Sequence, residues 1–267
     1  MRRLDPAFWS RKQIQSAAKS AHSKTMRFSV IIPAYNEEKF LPRLLESIKV
    51  AASNYSGGRD QIEVVVADND STDGTAEVAN QHGARVAHVP KRRIAAARNG
   101  GARAAAGEIL CFIDADSAIH PNTFNEIERV MNTQRYVWGV TGAVPERNSF
   151  ALLVTHHTFM PMVWLTGLDI GLSFCRREDW EAVGGYDESR LYGEDVMFPF
   201  ALRKLGRKRG QRLTRIPKAK ALHSVRKFDQ FGDWHYFWML AHAFKSLITW
   251  NWNDEKLAAR YWYKSGR

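Results

Sequence analysis

Between residues 28 and 113 the chain alternates short apolar runs with polar turns and amphipathic stretches. Phe28–Pro33 (FSVIIP), Ile62–Ala67 (IEVVVA), Ala84–Val89 and Glu108–Ile113 are mostly apolar and rich in β-branched residues. Such runs read as strands buried on both faces. Between the first two, Leu41, Leu44, Leu45 and Ile48 recur at helical spacing, with Asn36 placed to cap that helix. Ser53–Gly58 is a loop by composition. A second helix is predicted from about Thr75 to Gly83, where glycine suits a left-handed C-terminal position. The Ala-rich stretch Ile94–Ala106 predicts a third helix, with Gly107 ending it for the same reason. The order β-α-β-α-β-α-β with short connections predicts an α/β fold with a mostly parallel central sheet flanked by helices.

The second half is less regular. Helices are expected at Pro121–Met131, Glu178–Val183 and Val196–Leu205, a strand at Gly171–Cys175, and a helix end and turn at Gly184-Gly185. From Trp234 to Trp250 the pattern is helical and aromatic, with Phe237, Leu240, Phe244 and Leu247 three or four apart. Residues 1–25 read as a basic arm, helical from about Ser10 to Ala21. Residues 26–228 read as one α/β domain, and 229–267 as a helical, aromatic-rich C-terminal extension. No internal repeat or low-complexity tract interrupts them.

Charge changes this picture. Among 267 residues, 39 Lys and Arg stand against 28 Asp and Glu, a formal charge of +11. Much of the excess lies between Arg203 and Lys227. Such a stretch suits an anionic partner: a diphosphate, an anionic membrane surface or nucleic acid. The two cysteines, Cys111 and Cys175, lie in apolar runs and read as small buried hydrophobes, so no disulfide framework is expected, in keeping with a cytoplasmic protein. The first 26 residues lack the apolar core of a secretory signal. Tyr236–Trp250 carries His242 and Lys245 and is shorter than the ~20 apolar residues that a span requires. Two readings remain for it: an interfacial helix giving peripheral contact with an anionic membrane, or a helix packed on the domain or against a second copy in a homo-oligomer.

The candidate chemistry collects at strand ends. In parallel α/β sheets, ligands bind beyond the carboxyl ends of the strands. The loop Pro33-Ala34-Tyr35-Asn36-Glu37, Asp68 and the pair Asp114-Ala115-Asp116 all fall there. Two carboxylates one residue apart suit a hard divalent cation carrying phosphate oxygens, although Asp also caps helices and shapes turns. Asp68 can accept from a base N–H or a ribose hydroxyl, or serve only as an Asx-turn residue. No G-x-G-x-x-G turn or P-loop is present. Lys91-Arg92-Arg93 and Arg98-Asn99 bracket the start of the Ala-rich helix, where cations and free N–H groups favour phosphate. Glu194-Asp195 opens a helix; acidic residues favour a first turn, and a carboxylate there can also act as a general base. His223 is a candidate cation ligand beside the phosphates.

Taken together, the segments Ser29–Glu38 (SVIIPAYNEE), Ala67–Thr75 (ADNDSTDGT), Ala97–Gly101 (ARNGG), Gly107–Asp116 (GEILCFIDAD) and Tyr192–Asp195 (YGED) resemble the family 2 glycosyltransferases, in that family's order and spacing. The resemblance covers roughly Arg27 to His223. It implies a GT-A fold, a nucleotide-diphosphate sugar donor, Mn²⁺ or Mg²⁺ as cofactor, and inversion at the anomeric centre. It divides the domain into a nucleotide-binding half, about 26–117, and an acceptor-side half, about 118–228. It implies that Pro33, Ala34, Tyr35, Glu37 and Asp68 line the nucleoside pocket, that Asp114 faces ribose or sugar, that Asp116 and His223 hold the metal, and that Asp195 is the catalytic base. Gly171–Arg177 and Val183–Asp187 look like acceptor-side elements. Nucleic acid is not an expected partner, and the acceptor is not named by the sequence. The usual Asp-Asp-Gly-Ser turn is altered, with Asn69 and Asp70 in its second and third places. The Gln-x-x-Arg-Trp motif of processive members is absent, which points to single transfers. Three rivals stand beside this reading. A haloacid-dehalogenase-type phosphatase would carry its Asp pair after the first strand, not the fourth. A nucleotidyltransferase would carry a Gly-rich basic loop after strand one. A non-catalytic nucleotide-sugar-binding module would not need to keep Asp114, Asp116 and Asp195.

Overall fold

A computed structural model describes residues 26–155, 157–158, 169–234 and 237. The four expected strands form: β1 (Phe28–Ala34), β2 (Ile62–Asp68), β3 (Arg85–His88) and β4 (Ile109–Phe112). They pair in parallel, in the spatial order β3-β2-β1-β4. The intervening helices are α1 (Leu41–Ser53), α2 (Thr75–Gln81) and α3 (Ile94–Ala104), followed by α4 (Thr123–Met131). Three further strands extend the sheet: β5 (Tyr136–Val140), β7 (Ser173–Arg176) and β8 (Arg212–Arg215). β7 lies antiparallel between β4 and β5, and β8 runs parallel to β5. The sheet is therefore mixed, with one reversed strand, and β5 and β8 again point their carboxyl ends to the same rim as β1, β2 and β4. β6 (Ala143–Pro145) and β9 (Ala221–His223) make a separate parallel pair at that rim. Further helices include α5 (Arg177–Val183), α6 (Glu194–Lys208) and α7 (Arg226–Phe231).

Alternation along the strands supplies two cores, one on each sheet face. Phe28, Val30 and Ile32 of β1 join Leu44, Ile48, Phe124 and Ile127 on one side. Ile31 joins Ala95, Leu110, Phe112, Tyr186 and Phe198 on the other. Both cysteines are fully buried, and burial pushes their thiols above the ordinary value. They behave as the apolar side chains expected.

Two local expectations are corrected. Asn36 does not cap α1: the cap position is Phe40, with no side-chain cap bond, and Asn36 is spent on the neighbouring loop. Gly83 does take the left-handed conformation, φ 75°, but Gly107 does not. Helix α3 already stops at Ala104, with Ala105 extended. Gly107 is required for space instead, because a Cβ there would sit 2.5 Å from Ser29 Oγ and 2.6 Å from Ser29 N. No helix among the described residues is long and apolar enough to cross a membrane. The arm 1–25 and the stretch Tyr236–Trp250, Phe237 excepted, lie outside the described residues.

Candidate active site

β1 and β2 end in register, Ala34 opposite Asp68, and Asn69 N–H donates to Ala34 O at 2.8 Å. The loops beyond them interlock. Asn36, at φ 54°, donates its N–H to Ser71 Oγ (3.0 Å) and accepts on Oδ1 from Thr72 N–H (2.8 Å). Glu37 N–H donates to Thr75 Oγ1 at 2.8 Å, and Glu38 accepts from Gly74 N–H at 2.8 Å. Asn tolerates the left-handed region because its short amide bonds locally. Asp68 accepts from Ser71 N–H at 3.2 Å, and His88 Nδ1 lies 3.6 Å from its other oxygen. The turn role and the strand-end position thus coexist. Asn69 donates to Val89 O (2.8 Å) and Lys91 O (2.7 Å). An aspartate in its place has no N–H for these bonds, which gives the altered turn a structural reason. Arg92 stacks over the Tyr35 ring at 4.0 Å.

The Asp114–Asp116 loop leaves β4 and is pinned to β9. Ala118 N–H donates to Leu222 O (2.9 Å) and Leu222 N–H to Ala118 O (2.8 Å). This bridge brings His223, the next residue of β9, alongside the carboxylates. Asp116 Oδ2 lies 3.1 Å from Arg226 Nη2, and its backbone oxygen accepts from Arg43 Nη2 at 2.6 Å. Arg226 also forks onto Glu37, at 3.0 and 3.1 Å, and covers the Phe40 ring at 4.5 Å. Burial works against the Arg226 charge, but Glu37 and then Asp116 outweigh it and hold the cation firmly.

The acidic pair Glu194-Asp195 starts α6. Gly193, left-handed at φ 75°, turns the chain so that Glu194 is buried and Asp195 is exposed. Arg98 of α3 reaches both sides. Its Nη1 donates to Glu194 Oε1 at 2.8 Å and its Nη2 to Asp114 Oδ1 at 3.1 Å. Burial, then the adjacent Asp195 charge, push the Glu194 carboxyl above its ordinary value, with Arg98 opposing. The cleft walls push Asp114 upward, but Arg98, then His223 and Lys227, hold it below the usual carboxylate range. Asp114 and Glu194 are thus held on one guanidinium, with His223 and Lys227 among the charges around Asp114 and Asp195 next to Glu194 in the chain.

The loop preceding α6 is fastened by Glu188. Its carboxylate accepts from Asn99 Nδ2 (3.0 Å), Arg103 Nη2 (2.9 Å) and Lys91 Nζ (3.0 Å). The Asn99 hydrogen bond foremost, then Arg103 and Lys91, bring it down to about 2 from 4.5. A depressed carboxylate contributes stability above its unfolded value and loses it as pH falls through the folded value. Glu188→Gln is therefore expected to be less stable than wild type at pH 7, with the gap closing between pH 4.5 and about 2. Urea midpoints at pH 7 and pH 3 measure this, and a gap that stays constant contradicts it.

Pro33, Ala34, Tyr35, Glu37, Asp68, Asp114 and Asp116 lie at or just beyond the carboxyl ends of β1, β2 and β4, and Arg98 reaches them through Asp114, whereas Arg177 of the expected acceptor-side element bonds Gly107 O and Glu108 O at the opposite end of β4. Their surroundings differ from expectation. Glu37 is a buried counter-charge to Arg226, and Arg98 binds carboxylates. Arg226 and Glu188 were not singled out by sequence reasoning. Arg226 and Glu37 are 189 positions apart, so only folding reveals the pair; the one signal was a basic residue three places after His223. Among the described residues, no three His, Cys, Asp or Glu side chains form a ready cage for a metal ion. The donor set nevertheless fits Mg²⁺ or Mn²⁺ shared with a bound diphosphate, since such ions take one or two carboxylates and borrow phosphate oxygens. Arg226 on Asp116 is a stand-in cation showing that this carboxylate is placed to pair with positive charge.

A mainly parallel, helix-flanked sheet with Asp-x-Asp after β4 and an acidic pair opening α6 is the architecture of a GT-A glycosyltransferase. Solved structures agree on the fold. S. aureus TarS (residues 1–349) in complex with UDP-GlcNAc superposes with a TM-score of 0.59 at 21% identity, covering 74% of this chain and 58% of that one. Glucosyl-3-phosphoglycerate synthase of Mycobacterium tuberculosis, in complex with Mn²⁺, UDP and glucosyl-3-phosphoglycerate, gives 0.55 at 20%, covering 86% and 81%. The mannosyltransferase PcManGT of Pyrobaculum calidifontis, with GDP-Man and Mn²⁺, gives 0.59 at 23%, covering 74% and 57%. The sequence model of Glycosyl transferase family 2 matches residues 29–209, and the chain belongs to that family. Among curated relatives, the 4,4'-diaponeurosporenoate glycosyltransferase of Staphylococcus haemolyticus is 33% identical over 133 residues, 47% of this chain and 33% of that protein. The dolichyl-phosphate beta-glucosyltransferase of Drosophila melanogaster is 30% identical over 164 residues, 54% of this chain and 50% of that protein. The chain thus spans a third to a half of these two relatives.

Proposed function

We propose that the protein transfers a single sugar from a nucleotide-diphosphate sugar to an acceptor hydroxyl, inverting the anomeric centre, with Asp195 as general base. The observation that carries this reading is the single Arg98 guanidinium bonded at once to Asp114 and to the carboxylate next to Asp195. It draws the donor-side loop and the acidic pair to one cleft. Pro33, Ala34, Tyr35 and Asp68 line the nucleoside side, with Glu37 fixing the loop. Asp114 faces the ribose or the sugar.

Asp116 and His223 would hold Mn²⁺ or Mg²⁺, which supplies charge neutralisation at the leaving diphosphate. Asp195, exposed at the cleft, accepts the proton of the acceptor hydroxyl. That oxygen bonds to the anomeric carbon as the bond to the diphosphate oxygen breaks on the opposite face. Positive charge grows on the sugar, as in glycoside hydrolysis. The basic stretch Arg203–Lys227 and the aromatic stretch Tyr236–Trp250 support peripheral contact with an anionic cytoplasmic membrane face. Liposome flotation with and without anionic lipid separates this from packing against a second copy.

A thermal-shift panel of UDP-, GDP-, dTDP- and CDP-sugars tests the reading. One donor is expected to raise Tm with Mn²⁺ present, by the equivalent of about 2.7 kcal/mol at a hundred times its Kd. A flat response across the panel contradicts it.

A further inference from the structure

We infer that Arg98 and Glu194 are a positioning pair that sets the separation of the donor-side carboxylate Asp114 from the base Asp195; the inference rests on the transfer reading above. From the sequence, Arg98 was expected to serve phosphate. Its surroundings are those of a strut. The residue is 8% exposed, and both terminal nitrogens are engaged, at 2.8 Å to Glu194 and 3.1 Å to Asp114. Its Nε is buried without a hydrogen-bond partner. Turning the guanidinium to a phosphate would strip the buried Glu194 of its counter-charge, a costly change for a buried pair.

The strut stands on a rigid base. Helix α3 lies so close to the sheet that a Cβ on Gly101 would be 2.6 Å from Ile31 Cγ2, and one on Gly100 2.5 Å from Val89 Cγ2. Asn99 clamps the Tyr186 backbone from both sides, donating to its O (2.8 Å) and accepting from its N–H (2.9 Å). The Tyr186 ring backs the Arg98 guanidinium at 5.3 Å and stacks on Phe198 of α6 at 4.1 Å. Helices α3 and α6 and the β4 loop therefore meet at one cation. Reacting atoms need to approach within about 3–3.5 Å, and a 1 Å misplacement costs about 100-fold in rate. A strut joining the donor loop to the base controls that distance without touching substrate.

The test compares wild type, Arg98→Lys, Glu194→Gln and the double variant. The probe is whichever donor of the UDP-, GDP-, dTDP- and CDP-sugar panel, with Mn²⁺, raises the wild-type Tm most, and release of the nucleoside phosphate is followed. Lysine keeps the charge but loses the planar fork that reaches two carboxylates. Each single variant is expected to lose roughly 100-fold in kcat. Donor KM should stay within about threefold, because ground-state binding is untouched. The double variant should lose little more than either single one, as for side chains acting as a unit. A large rise in donor KM with kcat preserved would make Arg98 a phosphate ligand and overturn the inference. So would losses that multiply in the double variant. Should Arg98→Lys not fold, the nearly isosteric Glu194→Gln, with its Tm matched to wild type, carries the same kcat-against-KM split. If no probe shifts the wild-type Tm, the transfer reading itself fails and takes the inference with it. A wild type that binds and turns over donor isolates the fate of the pair.

Discussion

Asp195→Asn is expected to leave donor binding intact and to lower sugar transfer by about 10²–10⁴-fold, the range that a positioned general base contributes. The two neighbours at the start of α6 have opposite environments. Glu194 is buried against Arg98, whereas Asp195 is exposed. The substitution therefore removes neither packing nor the buried ion pair. Its only structural cost is one favourable charge in a helix first turn, about 0.3–1 kcal/mol. Stability and donor affinity act as internal controls. Unchanged turnover in this variant would remove Asp195 from the base role.

Asp116→Ala is expected to have the second large effect, through a different step. Asp116 is the carboxylate that pairs with the Arg226 cation in the ligand-free protein. Its loss removes the anchor through which a divalent ion would meet the diphosphate. Charge stabilisation of that kind is worth several kcal/mol, so transfer should fall by roughly 10²–10⁴-fold. Donor affinity should become the same in Mn²⁺ and in EDTA. The contrast with Asp195→Asn is diagnostic, because one variant separates binding from transfer and the other loses both. An undiminished Mn²⁺ response in Asp116→Ala would count against the ligand assignment.

The nucleotide side of the fold was legible because its signals are local. Phe28–Pro33 and Ile62–Ala67 declare buried strands by composition alone, and Leu41, Leu44, Leu45 and Ile48 declare a helix face. The second half was harder. Tyr136–Val140 forms β5 yet contains Trp138 and Gly139, and Arg212–Arg215 forms β8 with charges at both ends. Only β8 lacks an apolar run; Tyr136–Val140 (YVWGV) is one that sequence reasoning passed over. That β7 runs against its neighbours is a matter of long-range pairing, which composition does not encode. The Pro33–Glu37 loop, Asp68 and the Asp114–Asp116 pair were found through strand-end logic, which depends only on where each strand stops, whereas Arg98 and Asp195 were read from helix starts and the roles of Asp195 and His223 from the family resemblance. What each one bonds to was not legible. Glu37 with Arg226, and Arg98 with Glu194, are partners across 189 and 96 positions. Gly107 illustrates the same limit, since a residue chosen for close approach to Ser29 looks in sequence like a helix stop.

Sugar transfer as proposed requires one cleft in which Asp68, Asp116 and Asp195 face a single nucleotide-diphosphate sugar and its cation. Anomalous diffraction from crystals of the protein grown with MnCl₂ and UDP or GDP tests this most directly. The expected result is a manganese peak about 2.0–2.2 Å from an Asp116 oxygen, with the base beside Asp68 and the diphosphate turned toward Asp195. Nucleotide and manganese bound away from Asp116, or in a cavity that Asp195 does not border, would contradict it.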